Sequence, residues 1–76
     1  KVGQNKDAIK PLQLVVTGNP NFANAFKYLG EAYQTLENYP EAIKAFENAI
    51  SIDPKFTSVY NNLGTIYTFQ NTYIFY

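Results

Sequence analysis

The chain has 76 residues, six Lys plus Arg against six Asp plus Glu, a formal net charge of zero, and neither Cys nor His. These counts exclude disulfides and thiolate chemistry, remove the commonest metal ligand and general base, and leave no basic footprint for nucleic acid or for anionic lipid. No apolar run reaches the roughly 18–20 residues of a membrane span, and the length allows at most one small domain.

Residues 5–17 read as a first helix. Ile9, Leu12, Val15 and Val16 recur three to four apart and make one apolar face. Pro11 lies inside that stretch. It deletes one backbone hydrogen bond and crowds the preceding turn, at a cost of about 3 kcal/mol. The expected result is a kink, or a helix that starts near Lys10. Gly18-Asn19-Pro20 then ends it. Residue 1 falls in what would be a turn between helices, lacks Met, and opens no apolar signal-peptide stretch. The expectation is a segment of a longer polypeptide.

A second helix is expected to open at Asn21 or Phe22 and to run to about Leu36. Ala25, Phe26, Leu29, Tyr33 and Leu36 form its apolar face. Gly30 sits mid-helix, where it costs about 1 kcal/mol against Ala. A helix keeps such a glycine when a neighbour must come close, here the following helix. Residues 37–41 form a turn, with Asn38 as N-cap and Glu41 in capping-box spacing. Pro40 is tolerated in the first turn of a helix.

The third helix is expected to run to about Ser51 with Ala42, Ile43, Phe46, Ala49 and Ile50 inward. Lys44 and Glu47 lie outward as a solvated pair worth a few tenths of a kcal/mol at most. Asp53-Pro54 ends it. A fourth helix opens at Thr57 or Ser58 and runs to about Gln70, with Tyr60, Leu63, Gly64 and Tyr67 inward. Residues 71–76 are aromatic and β-branched. By register they turn into another helix; by propensity they favour a strand.

These elements repeat. Phe26, Leu29, Gly30, Tyr33 and Tyr39 return 34 residues later as Tyr60, Leu63, Gly64, Tyr67 and Tyr73. Backwards, Ala42, Ile43, Lys44, Phe46, Ile50 and Pro54 pair with Ala8, Ile9, Lys10, Leu12, Val16 and Pro20 at the same offset. Packing residues are kept while most charges change, which is how a repeated packing unit behaves.

Phe26, Leu29-Gly30, Tyr33, Ala42, Phe46, Ala49 and Pro54 resemble the tetratricopeptide repeat, with Phe26 in its Trp slot. The resemblance implies an all-α chain of antiparallel helix-turn-helix repeats, a piece of an α-solenoid. Residues 23–56 would be one complete repeat. Residues 1–22 would supply the second helix of a preceding repeat, and residues 57–76 the first helix of a following one. Such units bury their faces by stacking on neighbours. Both end faces should therefore expose apolar surface, including Tyr67 and residues 73–76. Either further repeats cover them, or copies of the chain form a homo-oligomer through them.

No catalytic constellation is visible. The glycines are isolated, the carboxylates form no functional pair, and the Ser and Thr hydroxyls have no His or Cys partner. The expectation is a non-enzyme without cofactor or metal, whose partner is a protein or peptide rather than nucleic acid or membrane. Seven Tyr and six Phe could stack on bases, but that needs interleaved basic residues.

In the family that the chain resembles, first helices line a concave peptide groove. By that resemblance Asn24, Lys27, Tyr28, Glu31 and Gln34 present from one helix, and Ser58, Asn61, Asn62, Thr65 and Thr68 from the next. Peptide contact is expected at Asn24, Lys27, Glu31, Ser58, Asn61, Asn62 and Thr65. An amide carries both a donor and an acceptor, so it can bind a peptide backbone without reading its sequence. Asn62 is similar in position to the asparagine ladder of O-linked N-acetylglucosamine transferase repeats, but its mate one repeat earlier is Tyr28. Lys27 and Asn62 also match two positions of the carboxylate clamp of co-chaperones. Glu31 stands where that clamp needs Asn, and would repel a carboxylate. Two alternatives remain: a self-associating structural element, and substrate-recruiting repeats of a larger enzyme such as a glycosyltransferase.

Overall fold

The computed structural model describes the backbone of residues 2–74 and the side chains of residues 7–69. Four helices follow one another: α1 (Val2–Gly18), α2 (Ala23–Thr35), α3 (Tyr39–Ile52) and α4 (Thr57–Ile74). There is no strand among the described residues. Each helix packs on the next, and α2 also approaches α4. The result is a slab of 41 × 30 × 16 Å. Among the described residues no helix is long and apolar enough to cross a membrane.

Phe46 is the centre of the core. It is fully buried among Ala42, Ala49, Val59, Leu63 and Ile66, with Phe26, Tyr33, Tyr39, Ile43, Ile50 and Phe56 packed around them. Burying a ring of that size stabilises by about 1.5–3 kcal/mol. The small residues of α3 explain how the ring gets in: Ala42, Ala45 and Ala49 let α2 come close enough to touch it. Gly30 completes the fit. A Cβ at Gly30 would lie 2.6 Å from the Phe46 ring, so the expected close neighbour is there and belongs to α3.

α2 is closed by a Schellman motif. Glu37 N–H donates to the Gln34 carbonyl at 2.9 Å, and Asn38 N–H to the Tyr33 carbonyl at 2.9 Å. Glu37 holds the left-handed position with φ 61°, where glycine would carry no Cβ penalty. Asn38 is the N-cap residue of α3, and its carbonyl accepts from Ala42 N–H at 3.0 Å. Its side chain makes no capping bond. Glu41 does not reach back either; it faces Lys44 at 3.9 Å. The expected Lys44–Glu47 pair is therefore replaced by Lys44–Glu41, an exposed pair of little energetic weight. At the next loop Asp53 Oδ1 accepts from Lys55 N–H at 3.2 Å and holds the turn into α4.

Four further expectations need correction. First, α1 does not start near Lys10; it runs from Val2 with Pro11 inside it. Pro11 is exposed, so water can take the carbonyl that loses its helical donor. Gly3, the register mate of Glu37, has no positive φ, and the helix passes through where a turn was expected. Second, Val15 is 40% exposed rather than inward, because α2 covers α1 from one side only. Third, α4 does not stop at Gln70 but continues to Ile74, so residues 71–74 are neither a strand nor a turn into another helix. Residues 75 and 76, and the side chains of 73–76, lie outside the described residues. Fourth, Tyr60 (47% exposed) and Gly64 face outward rather than inward, Tyr67 (43%) is exposed as the end-face expectation had it and not inward, and the buried residues of α4 are Val59, Leu63 and Ile66. α4 is covered by α3 and α2, not by a helix on its far side.

Candidate peptide-binding face

The candidate residues sit on α2 and α4, the two helices whose polar faces lie side by side. On α2, Asn24 is exposed and Lys27, Glu31 and Gln34 are half-buried. On α4, Ser58, Asn61, Thr65 and Thr68 are exposed and Asn62 is half-buried. A period of 3.6 residues per turn puts Asn24, Lys27, Glu31 and Gln34 in one row, and likewise Ser58, Asn61, Thr65 and Thr68 in the other.

One bond ties the rows together. Asn62 Nδ2 donates to Glu31 Oε2 at 3.3 Å. The bond orients the amide: its nitrogen points at α2, leaving Oδ1 free to accept from an N–H group. The donor and acceptor are partly buried, so the bond is less screened than one on the open surface.

Lys27 lies one turn before Glu31, yet it does not pair with it. Its ammonium lies 4.7 Å from the Tyr28 ring centroid and 5.8 Å from that of Phe56. Two aromatic faces thus hold the cation at the α2 edge, each contributing of the order of 0.5–1 kcal/mol. Tyr28, half exposed, therefore positions a charge. Its phenol ring and Phe56 were not connected to Lys27 by sequence, because Phe56 lies in the loop before α4.

Asn61 and Thr65 belong to a second patch. With Tyr60, Gly64, Thr68 and Phe69 they line an open hollow of about 620 Å³. Thr65 Oγ1 donates back to the Asn61 carbonyl at 3.0 Å, and Thr35 Oγ1 to the Glu31 carbonyl at 3.0 Å. These two hydroxyls spend their donor within their own helix. Asn24 and Ser58 stand on the first turns of α2 and α4. The structure thus joins Glu31 with Asn62, places Lys27 on their flank, and sets Asn61 and Thr65 around a separate hollow. Among the described residues no three His, Cys, Asp or Glu side chains gather into a metal site.

Comparison with known proteins agrees with this architecture. The Tetratricopeptide repeat family matches residues 23–56. Hsp70-Hsp90 organizing protein 3 of Arabidopsis thaliana is 33% identical over 67 residues, 88% of this chain and 12% of that protein. Superkiller complex protein 3 of Mus musculus is 35% identical over 57 residues, 75% of this chain and 4% of that protein. Tetratricopeptide repeat protein 37 of Xenopus laevis is 30% identical over 80 residues, 96% of this chain and 5% of that protein. The chain thus spans a small fraction of the length of the relatives it matches. Residues 23–56 are a tetratricopeptide repeat, and the fold around them is all helical among the described residues.

Proposed function

We propose that this chain is a non-catalytic protein–protein interaction module that takes an extended peptide segment along the polar faces of α2 and α4. In this reading α1 is the second helix of a preceding repeat and α4 the first helix of a following one. The observation that carries it is the Asn62–Glu31 bond. It holds two helices' polar rows in one surface and fixes an acceptor, Asn62 Oδ1, toward a ligand. Lys27, held by Tyr28 and Phe56, offers donors beside it. An acceptor and a cationic donor side by side suit the N–H and C=O groups of an extended backbone. Glu31 disfavours a free carboxylate at the same spot. Relatives named for organising Hsp70 and Hsp90, and for membership of the Superkiller complex, are named for assembling with other proteins, which supports an interaction role.

The test is titration calorimetry with peptides selected by display against the 76-residue chain. Asn62→Ala and Lys27→Ala should each weaken binding about tenfold, the loss of one hydrogen bond to a fixed or charged partner, with unchanged helicity. Wild-type affinity in both variants would sink the assignment. A second reading, self-association, is favoured by the exposed apolar side chains of α1 and α4, Val15, Tyr60 and Tyr67 among them.

A further inference from the structure

We propose that the peptide taken along α2 and α4 carries a basic residue, Lys or Arg, whose cationic side chain docks on the Glu31 carboxylate. The proposal rests on the peptide-binding reading and deepens it, because it names the charge of the ligand at one position. The starting point is how Glu31 is held. Its Oε2 accepts from Asn62 Nδ2 at 3.3 Å. Its Oε1 has no hydrogen-bond donor among the described residues. No described cation is within ion-pair distance of it either; the ion pair among the described residues is Lys44–Glu41 on α3. Glu31 is half-buried, so its charge is partly withdrawn from water without a counter-charge beside it.

The cation best placed to neutralise it is engaged elsewhere. Lys27 lies four residues before Glu31 on α2. Lys before Glu is the weaker order for such a pair, and two rings compete for the ammonium. It sits 4.7 Å from the Tyr28 centroid and 5.8 Å from that of Phe56. Helix α4, across from Glu31, has no charged residue. Asn62 therefore holds the carboxylate in place and donates one bond to it, but brings no positive charge. The charge that complements Glu31 has to come with the ligand.

A metal ion does not suit the place. Among the described residues no three His, Cys, Asp or Glu side chains gather, and hard cations take six or more oxygen ligands. An ammonium or guanidinium is satisfied by far fewer acceptors, and its bond to a carboxylate is about twice as strong as a neutral one. The two side chains then divide the reading of the peptide. Asn62 Oδ1 accepts a backbone N–H, which every residue but proline offers. Glu31 Oε1 takes a side chain, and so adds a preference of sequence to a surface that otherwise reads backbone.

The test is display of short random peptides against the wild-type chain, followed by calorimetry with the most enriched peptide and with its copy in which the basic residue is Gln. Selection should enrich Lys or Arg at one position. The Gln copy should bind the wild-type chain about tenfold or more weakly, the loss of one charge-assisted bond. Against Glu31→Gln the two peptides should differ by less than about twofold. That variant keeps an acceptor for Asn62 Nδ2, so the contact between α2 and α4 survives; circular dichroism checks the fold. Glu47→Gln, on the exposed side of α3, makes the same change in net charge and should keep the wild-type preference. Selection of acidic peptides, or of peptides with no basic enrichment, overturns the proposal. So does an unchanged preference in Glu31→Gln, or an equal loss in Glu47→Gln. If neutral peptides bind, and Asn62→Ala and Lys27→Ala weaken them while Glu31→Gln does not, the docking of a basic residue is wrong and the peptide face stands. If Glu31→Gln abolishes a basic preference while Asn62→Ala and Lys27→Ala bind at wild-type affinity, the charge reading stands and the backbone reading fails. A selection that yields no binding peptide overturns both.

Discussion

Gly30 and Gly64 occupy the same slot of the repeat and meet opposite surroundings. Sequence treats them alike, and intrinsic propensity says that Ala would improve either helix by about 1 kcal/mol. Only at Gly64 is that gain available. Gly64→Ala is expected to raise stability by about 0.5–1 kcal/mol. Gly30→Ala should lower it by about 1–2 kcal/mol, since overpacking a fixed ring costs about 1–3 kcal/mol and Phe46 is fully buried with no room to yield. Urea denaturation of both variants checks the pair; the same sign for both would contradict the packing. Asn38 shows the same limit from another side. Its place at the start of α3 was readable from residue type, but its missing capping bond depends on a side-chain rotamer and on the Schellman turn before it.

At the scale of elements, the helices and their order were legible because apolar residues recur at helical spacing and Pro, Gly and Asn mark the breaks. The ends were less so. α1 begins at Val2 and α4 extends to Ile74, although propensity and register both placed breaks inside those limits. Pro11 is the sharpest case. A proline in a helix interior was expected to bend or restart it; exposure of that position lets solvent take the orphaned carbonyl, and α1 persists at a cost. Pro11→Ala restores an N–H donor to the Asp7 carbonyl. It should stabilise α1 by about 1–3 kcal/mol, raising helical ellipticity and the thermal midpoint. An unchanged midpoint would mean that α1 is not a cooperative part of the fold.

Over the whole molecule, burial is uneven. The buried apolar side chains belong to α2, α3 and α4, and none of the described ones to α1. A repeat protein gains stability from its internal interfaces, and opening free energy follows local burial. Amide exchange should therefore be slowest in α2, α3 and the first half of α4, and about tenfold or more faster in α1. Mass-spectrometric exchange reads this directly, and equal protection of α1 and α3 would count against the uneven core.

The repeat period, the helix count and the need for a close neighbour at Gly30 were all determined by sequence. They rest on spacing along one chain, where side-chain direction follows from the helix itself. The Asn62–Glu31 bond, the seating of Lys27 on Tyr28 and Phe56, the outward turn of Tyr60, and the burial of Val59 and Ile66 were decided only by tertiary structure. Each depends on how closely one helix approaches another and on which sides of a helix have a neighbour. Periodicity marks a residue as able to pack; whether it does depends on a second surface being present.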